Sequence, residues 1–340
     1  MEFKKIGSIG YKLNKKSMRI QIEEIEKILK NKLRKIGFTT KEAKAISFEY
    51  IAGELKGKGS HGIYGFVRAY KKLKKTKRGH FKVTKDKPAY AFISGNRDVG
   101  QIVAYHAIEL AVKKAKKTGI AMVGGENIHS FLRPGTWAEV AARKGMIGLC
   151  FNYGGGPLMA PTGAREAILS TNPIGIGIPF KEYPFVIDMA VSTRAFYHIR
   201  MAQSLGKKIQ NGWAIDKTGK TTTDPDAVEA VLPFGGYKGY ILGLALEILT
   251  GPFVRTKVGK STKKVRGFLF IAIDPYVFTT KHDFNRDMAK LIKDVKGAKR
   301  IKGVKEIRIP GELAYKNETK KMKLGSINLD KKIMEEIQKL

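Results

Sequence analysis

Between residues 21 and 36, QIEEIEKILKNKLRKI, the apolar positions Ile22, Ile25, Ile28, Leu29, Leu33 and Ile36 recur mostly at steps of three and four. That spacing predicts a helix with one apolar stripe. Thr39 or Thr40 is placed to cap a second helix, KEAKAISFEYIAGEL, because a hydroxyl there can accept from a free N–H of the first turn. This helix runs into KGKGSHG, which leaves His61 between the end of one helix and the start of another apolar-periodic stretch. Further along, AYAFISG reads as a short strand, VGQIVAYHAIELAVKKAKKTG as a long amphipathic helix closed by Gly119, and IAMVGG as another strand. More strands are expected at MIGLCFN, PIGIGIPF, PFVIDMA and GFLFIAID, with helices near Trp137, near Ile199, from Gly239 to Leu249 and from Phe284 to Val295. Strands mixed with helices in this way describe an α/β chain. The sequence shows no internal repeat and no long Pro/Ser linker, and its tail from Lys296 is basic, helical and turn-rich, able to pack back on the N-terminal helices.

The chain has 340 residues, of which 43% are hydrophobic, enough for a substantial core. Its one cysteine, Cys150, lies in the apolar run MIGLCF and has no partner for an internal disulfide. The first residues, MEFKKIGSIGYKLNKK, lack the apolar stretch of a secretory signal, and no later run reaches membrane-spanning length. A soluble cytoplasmic protein with no membrane partner is expected. The charge changes the picture more: 65 Lys plus Arg against 30 Asp plus Glu give a net +35. Such a field attracts polyanions, whereas heat adaptation usually raises Glu together with Lys. Nucleic acid or another polyanion therefore stands as a partner class beside a purely compositional origin. Denser knots occur at Lys71, Lys72, Lys74, Lys75, Lys77 and Arg78, and at Lys257, Lys260, Lys263, Lys264 and Arg266.

The dinucleotide spacing G-x-G-x-x-G occurs as GKGSHG, at Gly57, Gly59 and Gly62, but it follows a helix where a phosphate loop must follow a strand. No Walker A sequence is present. The six histidines show neither Cys/His pairing nor H-E-x-x-H, so no metal site is expected. His129, in NIHSFLRPG, follows a strand in a loop of the kind that hosts active sites. In STNPIGIGIPF, Thr171 and Asn172 can turn the chain before a glycine-spaced strand that admits another backbone or a flat ligand. Asp188 emerges from the apolar strand of IDMAVS, where a carboxylate either orients a histidine or cation or accepts backbone hydrogen bonds. Lys238, just after two glycines and at the start of an apolar helix, can share an anion such as phosphate with free N–H groups.

Seven segments, in order, resemble the type-2 malate/L-lactate dehydrogenase family, which includes sulfolactate and ureidoglycolate dehydrogenases and piperideine-2-carboxylate reductase. They are ELKGKGSHG, VGQIVAYHAIELAVKKAKKTGIAMV, APTGAREAILSTNPIGIGIPF, IDMAVS, GWAIDKTGKTTTDP, LPFGGYKGY and RIPGE. The resemblance implies a non-Rossmann NAD(P)-binding α/β fold: a large, mostly antiparallel sheet over 81–295 and a helical domain built from both termini, 1–80 with 296–340. It also implies a homodimer, with NAD or NADP passing hydride to or from a small 2-oxo or 2-hydroxy acid while an imidazole moves the proton. By the same resemblance His61 is an active-site residue beside Ser60, with Asp188 close by. Thr171, Asn172, Lys238, Gly311 and Glu312 fall in segments lining the cofactor or substrate pocket.

Departures gather at the site. Members usually read S-H-G-x-x-R, but here Gly65 holds the arginine's place and Arg68 comes three residues late. They also read N-S-x-H-x-G-x-A-G-Y-Y, where this chain has NIHSFLRPGTW, so that Ser130 takes the histidine's position and His129 lies one residue early. One residue displaces an imidazole by ~3.5 Å, which matters for proton transfer at hydrogen-bond reach. Arg133 in this loop can replace the missing arginine as a carboxylate clamp. Asn152, Tyr153, His198 and Tyr237 also depart from the common pattern. Two functions follow: an NAD(P)-dependent oxidoreductase, or a member that kept the fold, lost the reaction and uses its basic surface on nucleic acid or another polyanionic assembly.

Overall fold

The computed structural model describes residues 17–340 except 77, 182, 263 and 264. The N-terminal segment and Lys77, Lys263 and Lys264 of the basic knots lie outside the described residues. The chain runs β1 (Ser17–Gln21), α1 (Ile22–Lys35), α2 (Thr40–Leu55), α3 (Ile63–Lys75), β2 (Lys82–Lys87), β3 (Tyr90–Ser94), α4 (Gly100–Thr118) and β4 (Ile120–Ile128). There follow α5 (Pro134–Arg143), β5 (Ile147–Asn152), β6 (Ile174–Ile178), β7 (Phe185–Met189), α6 (Phe196–Ser204), β8 (Ala214–Ile215), β9 (Ala230–Val231) and α7 (Tyr237–Thr250). The chain ends with β10 (Arg266–Ile273), α8 (Lys281–Gly297), α9 (Glu312–Leu324), β11 (Ser326–Asp330) and α10 (Lys331–Lys339). Two compact units result, one from the residues before 78 together with Gly311–Leu340, the other from Arg78–Pro310.

The first unit is helical. The stripe on α1 buries Ile25, Leu29 and Leu33. Thr39 starts α2 through a capping box: its Oγ1 accepts from the Glu42 N–H at 3.3 Å, and the Glu42 carboxylate accepts from the Thr39 N–H at 2.8 Å. α3 turns Ile63, Phe66, Val67 and Tyr70 inward, with Phe66 edge-on to Tyr50 at 5.4 Å. Of the tail, the part from Gly311 packs back, α9 on α2 and α10 on α3, whereas 296–310 belong to the second unit. The periodicity missed how the ends are tied: β1 and β11 pair antiparallel, Ser17 opposite Asp330. Two five-residue strands of mixed polarity leave no clear alternating pattern to read.

The second unit is built on a seven-stranded sheet of order β2-β3-β4-β10-β5-β6-β7. Only the β3/β4 pair is parallel. This is the mostly antiparallel sheet expected, and it is not a doubly wound one. α4 and α5 pack on β4, β10, β5 and β6. Small residues Ala104, Ala107 and Ala111 let α4 come close, and Val123, Cys150, Phe268 and Phe270 fill the same cluster. Burial pushes the Cys150 thiol well above its usual range, as befits a packed apolar side chain. Phe151 and Ile176 belong instead to a second cluster, with Met159, Leu169, Val191 and Leu246 of α7. At Gly177 a methyl group would strike the backbone of Ala138 in α5. The glycine spacing of PIGIGIPF therefore admits a helix backbone. β2, unforeseen, has all six residues exposed and is a lysine-bearing edge strand of the kind that resists further pairing. Among the described residues no helix is long and apolar enough to cross a membrane.

Candidate active site

Antiparallel pairing brings loops from distant parts of the chain to one end of the sheet. Arg266 opens β10 opposite Ile128, the last residue of β4, and Asn152, the last of β5, faces Phe268. β6 begins at Ile174 opposite Met189, the last residue of β7. The loops carrying His129 to Arg133, Tyr153 to Gly156, and Ser170 to Asn172 therefore leave from this end, and Asp188 lies one residue inside it.

The loop after β4 is tightly held. The His129 N–H donates to the Asp98 carbonyl at 3.0 Å. Asp98 is itself buried and accepts from Arg78 at 2.8 Å, from the Val99 N–H at 2.8 Å and from the Phe81 N–H at 3.2 Å. Ser130 Oγ accepts from the Leu132 N–H at 3.2 Å, so this hydroxyl shapes the turn. Phe131 is fully buried, edge-on to Trp137, Phe268 and Phe270. That ring anchors the loop two residues after His129.

Asp188 does both things its position suggested. Its Oδ1 accepts from the Gly135 N–H at 3.2 Å, in the first turn of α5 where a carboxylate is favoured. Its Oδ2 lies 3.7 Å from Arg133 Nη1, and Arg133 is 7% exposed. The guanidinium read from the sequence as a carboxylate clamp thus already has a carboxylate.

Asn172, fully buried with φ of 31°, is turned into α7. Its Nδ2 donates to the Gly243 carbonyl at 3.0 Å and to Glu247 Oε2 at 2.6 Å. Glu247, which the sequence reading missed, also accepts from the Ser170 N–H at 2.9 Å and the Gly259 N–H at 3.3 Å. Burial holds its carboxyl above the usual range, and the donors only partly offset this. Inside an otherwise apolar helix a single Glu gave little warning that its partners lie some seventy residues earlier. The neighbouring Thr171 carbonyl accepts from the Val191 N–H at 3.0 Å, joining this loop to the one after β7. Lys238 is exposed at the opening of α7, whose N-cap, Gly236, has φ of 63°.

In the helical unit Ser60 and His61 occupy a short 3-10 turn between α2 and α3, so the G-x-G-x-x-G match is no phosphate loop. Ser60 Oγ is 2.9 Å from His61 Nδ1, and that contact orients the ring. Glu54 Oε2 accepts from the Ile63 N–H at 3.2 Å at the start of α3; burial raises its carboxyl, while Lys321 opposes the rise. Gly65, where the family pattern has arginine, lies against the Ser60 carbonyl, which a methyl group would meet at 2.7 Å. Gly311, with φ of 89°, caps α9, and the buried Glu312 pairs with Lys316 at 2.9 Å.

The chain is 35% identical to malate/(S)-sulfolactate dehydrogenase of Methanothermus fervidus over 337 residues, 95% of this chain and 97% of that protein. It is 30% identical to malate dehydrogenase of Pyrococcus horikoshii over 360 residues, 97% of this chain and 96% of that protein. Its fold superposes on the solved sulfolactate dehydrogenase from Methanocaldococcus jannaschii with a TM-score of 0.85 at 35% identity, covering 95% of this chain and 96% of that one. Residues 20–338 match the family described as malate/L-lactate dehydrogenase. On this sheet, these loops and these likenesses, the chain belongs to the malate/L-lactate dehydrogenase family and is an enzyme of that type.

Proposed function

We propose that the protein is an NAD(P)-dependent oxidoreductase that interconverts a small 2-oxo acid and its 2-hydroxy acid, of the malate or sulfolactate kind. The observation that carries this reading is the convergence of His129 and the Arg133–Asp188 pair at one sheet end in a chain whose relatives are malate and sulfolactate dehydrogenases. Nothing among them favours a nucleic-acid surface as the purpose of the positive charge.

The residues suit a nicotinamide dinucleotide. Gly235 and Gly236, both with positive φ, lead into α7, and Lys238 stands exposed in its first turn. First-turn N–H groups lack intrahelical partners and, with an ammonium beside them, favour a pyrophosphate. When bound, the nicotinamide supplies or accepts the hydride. The chain supplies the rest. An imidazole gives a proton to the carbonyl oxygen in reduction and takes it back from the hydroxyl in oxidation, work for which histidine is suited near neutral pH. His61, oriented by Ser60, and His129, anchored through Asp98, are the two proton carriers proposed.

The lone, buried Cys150 fits a reducing cytoplasm. α7 leaves Tyr237, Ile241, Leu244 and Ile248 exposed along one face, and we infer that a second copy of the chain covers it. The activity is tested by mixing purified protein with NADH or NADPH and, in turn, oxaloacetate, 3-sulfopyruvate and pyruvate, following loss of reduced-nicotinamide absorbance. Oxidation of the cofactor with at least one acid is expected; none with any pair overturns the reading.

A further inference from the structure

We infer that Arg266 is the cation that grips an acid group of the substrate, the carboxylate or sulfonate of a small 2-oxo or 2-hydroxy acid. This rests on the reading of the sheet end as the site of that chemistry.

Arg133 and Arg266 both stand at this end, and they differ in what they already hold. Arg133 has Asp188 beside it. Arg266 pairs with no carboxylate among the described residues; its partners are two carbonyls, those of Tyr153, at 3.3 Å, and Gly154, both reached from Nη1. Burial lowers Arg266 to about 10, so it stays protonated at neutral pH. Carbonyl dipoles do not cancel a unit charge, and a charge drawn from water without a counter-ion is costly. An incoming anion relieves that cost.

The geometry also leaves the right edge of the fork open. The bonds through Nη1 leave Nε and Nη2 with no hydrogen bond to a described residue. Those two N–H groups lie side by side and match the two oxygens of a carboxylate. The guanidinium lies over Gly155, where a methyl group would come within 2.8 Å of Cζ and 2.9 Å of Nη1 and Nη2. A second unmet group borders the same loop: Ser170 Oγ is fully buried without a partner among the described residues, and a methyl on Gly154 would collide with it. Arg266 faces Ile128 across the ladder, and Ile128 precedes His129. An acid held there is beside the loop that bears one of the two proposed proton carriers. Gly65 cannot serve, having no side chain, and the Ser60 carbonyl blocks one.

The competing role is mechanical, with Arg266 merely tying down the loop after β5. Steady-state kinetics of the full-length Arg266→Met and Arg266→Lys proteins separate the two. For Arg266→Met, KM for oxaloacetate should rise about ten- to a hundredfold, the worth of a charge-assisted bidentate contact. KM for the reduced cofactor should stay within about twofold, and guanidinium ion added to the assay should recover part of the loss. Arg266→Lys, which keeps the charge but loses the fork, should fall between. An unchanged KM for the acid, or an equal rise for acid and cofactor, overturns the proposal. If Arg266→Met does not fold, the lysine variant decides by the same criteria. Binding of oxalate, followed by calorimetry, needs no turnover: it should weaken about tenfold or more in the variants, and equal binding overturns the role of Arg266. Wild-type protein inert toward every 2-oxo acid refutes the parent reading instead, while the oxalate measurement still judges Arg266.

Discussion

Replacing Asn172 with alanine removes two hydrogen bonds at once, one of them to a buried carboxylate that keeps only two backbone N–H donors among the described residues. Nδ2 reaches Glu247 at 2.6 Å and the Gly243 carbonyl at 3.0 Å, and Asn172 and Glu247 are 0% and 3% exposed. A hydrogen bond to a charged group contributes about 1.5–3 kcal/mol, and the bond to the Gly243 carbonyl, which stays within the ladder of α7, about 0.5–1.5 kcal/mol. Alanine at φ of 31° adds about 1 kcal/mol of backbone strain that asparagine tolerates better. The loss at neutral pH should therefore be about 3–5 kcal/mol in equilibrium urea unfolding. Its pH dependence identifies the cause. Burial raises Glu247 above its unfolded value, so the native state holds the extra proton more tightly. That contribution is present below the unfolded value and lost as pH rises through the folded one. Asn172 serves the charged form, so its removal raises Glu247 further, and the deficit of the variant should shrink as the medium is acidified. A deficit below about 1 kcal/mol, or one that grows in acid, refutes the assignment. So does a double-mutant cycle with Glu247→Gln that gives coupling under about 0.5 kcal/mol.

Other tests address the remaining parts. Gly135→Ala would place a methyl against the Asp188 side chain, 2.6 Å from Cγ; it should lower kcat/KM for the acid about tenfold or more by moving the Arg133–Asp188 pair, and wild-type kinetics would refute that role. Ser60→Ala removes the 2.9 Å contact to His61 Nδ1 and should lower kcat about tenfold with KM for cofactor unchanged, whereas His61→Asn or His129→Asn, whichever removes the working proton carrier, should cost about a hundredfold or more. If neither histidine variant loses more than about threefold, the imidazole mechanism fails. Ile241→Glu, on the exposed face of α7, should turn a dimer into a monomer by light scattering; a wild-type monomer at micromolar concentration would refute the pairing.

The elements that the sequence announced were those whose side chains meet a single environment. α1 and α4 show their stripes because one face packs and the other is wet, and β5 and β10 show apolar runs because the sheet is covered on both sides. β2 and the β1/β11 pair stayed hidden because exposure or shortness leaves no period to detect. The site was legible in chemical type more than in partnership. Asp188 was read as a group that holds a cation or takes a backbone N–H, and it does both; Arg133 was read as a free clamp, yet the same Asp188 lies beside it. That fact lives in a contact between residues more than fifty apart, which no local spacing encodes. Arg266 shows the converse. In the sequence it is one more cation in the knot from Lys257 onward, outwardly a solvated loop residue. Only the ladder, which sets it opposite Ile128, and the two carbonyls it holds reveal a charge partly withdrawn from water without an opposing one among the described residues. With a net charge of +35, cations by themselves say nothing about function here. What distinguishes one is that, half-buried, it has no carboxylate partner among the described residues, and an acidic substrate is what that calls for.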